Sequence, residues 1–413
     1  GIGKTVALLS LTSQKGLLPH NVPAVYIPLH RLKVGEENSI SRYIKDEVLR
    51  GDSSQFGELV NLANKRWEKG PRLILLLDGF NEIPLCDRYA IARDIEEWSR
   101  KRGVQAITTS RFDVRNTLHG LSGEYHSIKL EPLPRDIVKE YLLQNNVKLP
   151  SKNSSLWDVI DYPLMLMLYS KTEVARKQKC DVPLAWRTAE NAGSLIWNYL
   201  QQELLRSTRL SRDCASVINS VVATEHIAPF IAWQMVHNNR FTLTEEEFEG
   251  YLSQAINSFN KEDKTAPPKH IRQVMRHTGG TVTLPEVDTQ FEMLTQRLNL
   301  FRIQESANGN IIRLMHQRFR DCFAAIYLIN QAQVMSTDGS LPEEWRQSVG
   351  HNVMDFVAEL IDPSESEHLW EANRKQRPTN PIAVRTLLEL QKRVRCYDFS
   401  KLNFSGMDLR KIH

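Results

Sequence analysis

Three short stretches carry residue types that could do chemistry together. Gly3-Lys4-Thr5 completes the pattern G-x-x-x-x-G-K-[ST], whose backbone N–H groups wrap phosphates while the lysine supplies a point charge and the hydroxyl a magnesium ligand. Gly1, Gly3, Lys4, Thr5 and Val6 are therefore candidate nucleotide contacts, although the first glycine of the pattern would fall before Gly1. Asp78 ends the apolar run 73–77 in PRLILLLDGFNEIP, and Glu82 follows four positions later. A carboxylate at the C-terminal end of a buried parallel strand lies where open α/β sheets bind ligands, so Asp78 can hold a magnesium ion jointly with Thr5. Glu82 is placed to orient or deprotonate an attacking water. Arg111, at the end of VQAITTSR, would reach the same edge and sense a γ-phosphate with its guanidinium fork. Taken singly, each has a plainer reading: a chance GKT, a turn aspartate before Gly79, a surface arginine.

These residues need a particular scaffold. Downstream of Thr5, VALLSLTSQKGLL keeps helical spacing and runs out near Gly16 and Pro19, as a helix leaving a phosphate loop should. Residues 22–32 read as a buried strand, NSISRYIKDEVL and FGELVNLANKRWEKG as helices, and residues 73–77 and 104–111 as further strands. YHSIKL (125–130) reads as a fourth strand before the Pro132/Pro134 break. This alternation predicts an α/β layer, a parallel sheet with flanking helices. Beyond it the pattern turns helical in LPRDIVKEYLL and DYPLMLMLYSKTEVAR. Later QFEMLTQRLNLFRIQ, ESANGN and IIRLMHQRFRDCFAAIYL read as helix, strand, turn, strand, helix.

Bulk properties narrow the class. The 413 residues are 41% hydrophobic and 25% charged, ordinary for a globular chain of two to four domains, and no apolar run approaches the roughly 18 residues of a membrane span. The five cysteines are scattered, without C-x-x-C spacing, so neither a disulfide framework nor a zinc site is indicated and a reducing compartment fits best. A net charge of +4 with only short basic runs argues against nucleic-acid binding.

The ordered set GIGKT, LILLLDGFNEIP, TTSR, LEPLPRDIVKEYL, DYPLMLML and LMHQRFRDCFAAIYL resembles the NACHT-type STAND NTPases, a class of NLR-like signalling ATPases, over about residues 1–330. The resemblance implies a P-loop core at 1–131, a helical domain at 132–207 and a winged-helix domain at 208–330. A helical linker would fill 331–395. It also implies ATP/ADP and Mg2+ as cofactors, with Lys4 and Thr5 on phosphate and metal, Asp78 as the metal acid, Glu82 as the catalytic acid and Arg111 as the sensor. Pro163 would lie against the base and His316 would touch ADP in a closed state. Such proteins rest with ADP and self-assemble with ATP in the cytoplasm. Asn81 departs from a frequently acidic position of the family, which bears on hydrolysis more than on binding.

The last seventeen residues repeat every five positions, as Tyr397-Asp398-Phe399, Leu402-Asn403-Phe404 and Met407-Asp408-Leu409. They resemble the start, at 396–413, of a pentapeptide-repeat domain, a right-handed β-solenoid that would sense an unknown trigger. Both ends thus read as cuts through structural units of a longer protein with an N-terminal effector. This combination is more typical of bacterial members, where a role in anti-phage defence is expected. Three rival functions remain open from sequence: a GTPase, since Asn260-Lys261-Glu262-Asp263 matches N-K-x-D; a winged-helix nucleic-acid regulator; and a pseudoenzyme scaffold that uses nucleotide as structural glue.

Overall fold

The run LILLLD can bury every apolar side chain only if it is a central strand covered on both faces. In the computed structural model it is β2 (Leu73–Asp78), flanked in parallel by β1 (Ala24–Pro28) and β3 (Val104–Thr108) in the order β1-β2-β3. Residues 2–11, 22–32, 38–66, 70–80, 83, 87–110, 126, 128, 130–177, 184–210, 214–261, 271, 273, 274, 276, 286–306, 309–333 and 350–362 are described.

Parity divides β2 between two cores, because successive side chains of a strand point to opposite faces. Leu73, Leu75 and Leu77 pack into a layer with Ile27, Ile91 and Trp98, while Ile74 and Leu76 meet Leu8 of helix α1 (Ile2–Ser10), with Tyr26 and Ile107 alongside. The first of these faces is covered by α2 (Ser39–Tyr43), which continues as a π-helical turn at Ile44–Val48, and by α3 (Ser53–Asn64) and α4 (Arg88–Ser99). Asp52 caps α3, accepting the Ser54 and Gln55 N–H groups at 2.9 and 3.0 Å. The sheet is tied to the end of α3 through Gly103, whose N–H donates to the Ala63 carbonyl at 2.8 Å. A Cβ there would stand 2.5 and 2.6 Å from the Leu62 and Lys65 carbonyl oxygens, so only glycine fits.

Two expectations change. Helix α1 begins at Ile2, ahead of Thr5, so Gly3-Lys4-Thr5 lies in its first turns; the expected end near Gly16 and Pro19 lies outside the described residues. Residues 125–130 do not supply a strand where they are described: His126, Ile128 and Leu130 belong to no ladder, and Ile128 is 87% exposed. Apolar alternation becomes a strand only where a neighbour supplies hydrogen bonds, and among the described residues β3 pairs with β2 alone.

The boundary between two compact units falls between Pro132 and Leu133. The second unit is mostly helical, and its apolar core is one cluster with members from Val138 to Ile361. Its helices are α5 (Arg135–Gln144), α6 (Trp157–Ile160), α7 (Pro163–Arg176), α8 (Ala192–Leu210), α9 (Cys214–Val222), α10 (Ala228–His237), α11 (Glu245–Lys261), α12 (Val287–Glu292), α13 (Gln317–Gln333) and α14 (His351–Leu360). A π-helical turn, Ala223–Ile227, joins α9 to α10, and another, Met293–Arg297, follows α12. Helix α13 is the central member: Phe319, Phe323 and Leu328 are fully buried, and it packs against α10 and α14. A small sheet in the order β4-β6-β5 joins β4 (Leu243–Thr244), β5 (Phe301–Ser306) and β6 (Gly309–Leu314), with Leu243 opposite Ile312 in antiparallel register.

An extended strap, residues 184–191, is fastened along α8 by buried side-chain amides. The Gln201 side chain accepts from the Ala185 N–H at 2.9 Å, and Asn198 both accepts from the Arg187 N–H at 2.8 Å and donates to its carbonyl at 2.9 Å. Arg187 in turn donates to the Leu360 carbonyl at 2.5 Å, closing the end of α14, and the Glu359 carboxylate accepts the Gly193 N–H at 2.6 Å. The pentapeptide-like tail, the N-K-x-D tetrapeptide's side chains and most of 331–395 lie outside the described residues.

Candidate functional site

Among the described residues of the first unit, several polar contacts converge on Asp78, the last residue of β2. Thr5, in α1, donates its hydroxyl to Asp78 Oδ2 at 2.7 Å across 73 positions of sequence. Tyr26 of β1 donates to the same oxygen at 3.1 Å, and Thr109, just past β3, donates to Oδ1 at 2.5 Å. Thr109 Oγ1 also accepts the Gly79 N–H at 2.9 Å, so one hydroxyl fixes both the carboxylate and the backbone behind it.

Strand physics explains the convergence. In register, Tyr26 lies beside Leu76, two residues before Asp78 and on the same face, a gap of about 6.6 Å at the usual rise, which the length of a tyrosine side chain bridges. Leu77 pairs with Thr108, so Thr109 comes level with Asp78, and the bonds Thr109 N–H to Leu77 carbonyl and Phe80 N–H to Thr109 carbonyl, both 2.9 Å, extend the pairing past the strand ends. Gly79 turns the chain there with φ +82°, a conformation glycine adopts without steric cost.

Among the described residues no cluster of three or more His, Cys, Asp and Glu side chains is disposed to hold a metal. One carboxylate with an adjacent hydroxyl is nevertheless the donor set expected for magnesium, which takes one or two protein carboxylates and completes its shell with water and substrate phosphate. A threonine that gives its proton to Asp78 keeps oxygen lone pairs for a cation. Lys4 precedes Thr5 in α1 and is partly buried. Gly3 is partly buried in the same helix; Gly1, Glu82 and Arg111, and the side chain of Val6, lie outside the described residues.

Pro163 and His316 belong to the second unit, each at the start of a helix. Pro163 is the first residue of α7, behind Tyr162 as N-cap, a position where a missing N–H costs nothing. His316 caps α13: its Nδ1 accepts the Arg318 N–H at 3.0 Å and its carbonyl the Phe319 N–H at 3.0 Å. The two helix starts are neighbours, since the Arg318 guanidinium stacks over the Tyr162 ring at 5.6 Å. Beside them burial, reinforced by Asp158, pushes the Asp161 carboxyl above its ordinary range, with a backbone hydrogen bond and Arg318 partly opposing the rise.

Sequence reasoning singled out Thr5 and Asp78, which the fold brings together, and missed Tyr26 and Thr109. The sequence shows only hydroxyl residues in the segments read as strands on either side of an acid-tipped one; the register that brings them level with the acid is set between the strands. Among the described residues no helix is long and apolar enough to cross a membrane. The chain matches no protein-family model and no curated protein.

Proposed function

We propose that the protein is a nucleotide-dependent signalling switch of the NACHT-type STAND class, resting with ADP, assembling with ATP and hydrolysing it slowly. The observation that carries this reading is the 2.7 Å bond from Thr5 to Asp78: a GKT threonine and a strand-tip acid, 73 positions apart, meet at the C-terminal edge of a parallel sheet. In this reading Lys4 binds phosphate oxygens, Thr5 offers its hydroxyl oxygen to magnesium, and Asp78 holds that hydroxyl in place. Bound magnesium neutralises charge on the phosphates. Glu82 orients the water and Arg111 reads the terminal phosphate. Pro163 and His316 report nucleotide state from two adjacent helix starts, a winged-helix domain moves with that state, and the C-terminal repeats sense the trigger, with anti-phage defence as the setting.

Helix α13 favours packing over groove reading. A recognition helix must present cations to phosphate, but Arg320 is buried against Asp321, its Nη2 2.8 Å from Oδ1, and Arg318 lies over Tyr162. Asn81 keeps a nucleotide-binding scaffold without turnover as the alternative, which single-turnover hydrolysis with and without Glu82→Gln separates. For the main reading, Lys4→Ala in the full-length protein should abolish both ADP binding and triggered assembly, followed by titration calorimetry and light scattering. Wild-type affinity or normal assembly in that variant refutes it.

A further inference from the structure

The phosphate-loop pattern accounts for Thr5 and Asp78 but not for Tyr26, which reaches the same carboxylate oxygen from a different strand. An ionised carboxylate accepts at about four positions. On Asp78 the two positions of Oδ2 are taken by Thr5 and Tyr26, and one on Oδ1 by Thr109. Among the described residues none takes the second position on Oδ1, the place where a metal-bound water can donate. Two of the three hydroxyls, Tyr26 and Thr109, stand on the strands at either side of β2 or immediately beyond them, so the sheet itself fixes the carboxylate's rotation, independently of α1.

We propose that Tyr26 is a positioning residue for metal-dependent nucleotide binding: with Thr109 it clamps the Asp78 carboxylate so that one oxygen faces Thr5 and the other keeps a single acceptor position for metal-bound water. The inference rests on the reading of Lys4, Thr5 and Asp78 as a magnesium–nucleotide site, and it adds a sheet-borne grip that the motif does not contain. Without the tyrosine hydroxyl the carboxylate can rotate about its Cβ–Cγ bond, and order must be restored each time a metal binds. The penalty falls on the metal-dependent part of affinity, because the one proton of the Tyr26 hydroxyl is given to Asp78.

The test is ADP affinity of the full-length protein with magnesium and with EDTA, for wild type, Tyr26→Phe, Thr109→Val, Thr109→Ser and Asp78→Asn, with Mn2+ binding followed by electron paramagnetic resonance as a readout independent of turnover. The ratio of the two affinities is expected to fall about five- to tenfold in Tyr26→Phe and in Thr109→Val, the effect of one lost hydrogen bond. It should return in Thr109→Ser and vanish in Asp78→Asn, with metal-free affinity unchanged in the Tyr26 and Thr109 variants. A merely structural tyrosine would lower both affinities in proportion, and that result overturns the proposal. A wild-type ratio in Tyr26→Phe or Thr109→Val beside a lost ratio in Asp78→Asn overturns the clamp and leaves the site standing. An undiminished ratio in Asp78→Asn, or a wild type that binds no nucleotide, overturns the site and the clamp with it.

Discussion

His226 should make the stability of the second unit depend steeply on pH. It lies in the π-helical turn between α9 and α10, 6% exposed, with Nε2 3.3 Å from the Ser258 hydroxyl and its ring edge-on to Phe259 at 5.0 Å. Burial pushes its pKa down from 6.5 to about 4, against a smaller opposing contribution from a backbone hydrogen bond with Ala255. As pH falls below 6.5 the unfolded chain takes up a proton that the folded chain refuses until about pH 4, so the unfolded state binds more protons and folding weakens across that window. The difference of about 2.5 pKa units corresponds to roughly 3 kcal/mol, lost between pH 6.5 and 4 and level below it. Glu203 works in the opposite sense: burial raises its carboxyl's pKa, so its contribution is present at low pH and is lost as pH rises through the folded value. The His226 effect is therefore read as a difference between wild type and His226→Gln, in which the common background cancels. Urea unfolding at intervals from pH 7 to 4, followed by tryptophan fluorescence, supplies it, and six of the eight tryptophans lie beyond Pro132, so the signal reports mainly the second unit. Wild type should lose about 3 kcal/mol more than the variant over this range. Parallel stability curves for the two proteins would refute the account.

Three further substitutions probe other features. His316→Ala should cost about 0.5–2 kcal/mol by removing the cap of α13, whereas His316→Asn keeps a side-chain acceptor and should unfold within a degree or two of wild type, about the resolution of the measurement; an alanine variant as stable as wild type would remove the capping role, and lower ADP affinity in the stable asparagine variant would mark a separate contact with nucleotide. Gln290 is fully buried and neither end of its amide has a hydrogen-bond partner, so Gln290→Met, of similar shape, should raise stability by about 1–3 kcal/mol in chemical denaturation, and a loss would show that the amide is satisfied in solution. Gly103→Ala should destabilise the first unit by about 1–3 kcal/mol, because the atoms its Cβ would meet are backbone carbonyls that cannot swing aside; an unchanged thermal midpoint would argue against that close approach.

Much of the first unit was legible because burial imposes simple patterns on it. A five-residue apolar run before an acid is long enough for a buried strand and too short for a helix, and parity puts Ile74 and Leu76 on one face, which the structure shows to be the one α1 covers. The meeting of Thr5 with Asp78 followed from placing both at one sheet edge. Tyr26 and Thr109 were harder to see, since their role depends on the register between strands, which no local pattern records. At His126, Ile128 and Leu130 no ladder forms for a related reason: the alternation is real, but a strand needs a partner.

The strap at 184–191 also bears on the order in which the chain can be completed during synthesis. Arg187 finds its acceptor at Leu360, 173 positions later, so the last lock on the helical unit cannot close until the ribosome has delivered α14. The three-stranded sheet, by contrast, has all its described hydrogen-bonding partners once residue 110 has emerged. A nascent chain therefore meets a long interval in which the sheet is assembled while α8 still lacks its distal partner, a stretch in which chaperones would find exposed apolar surface to hold.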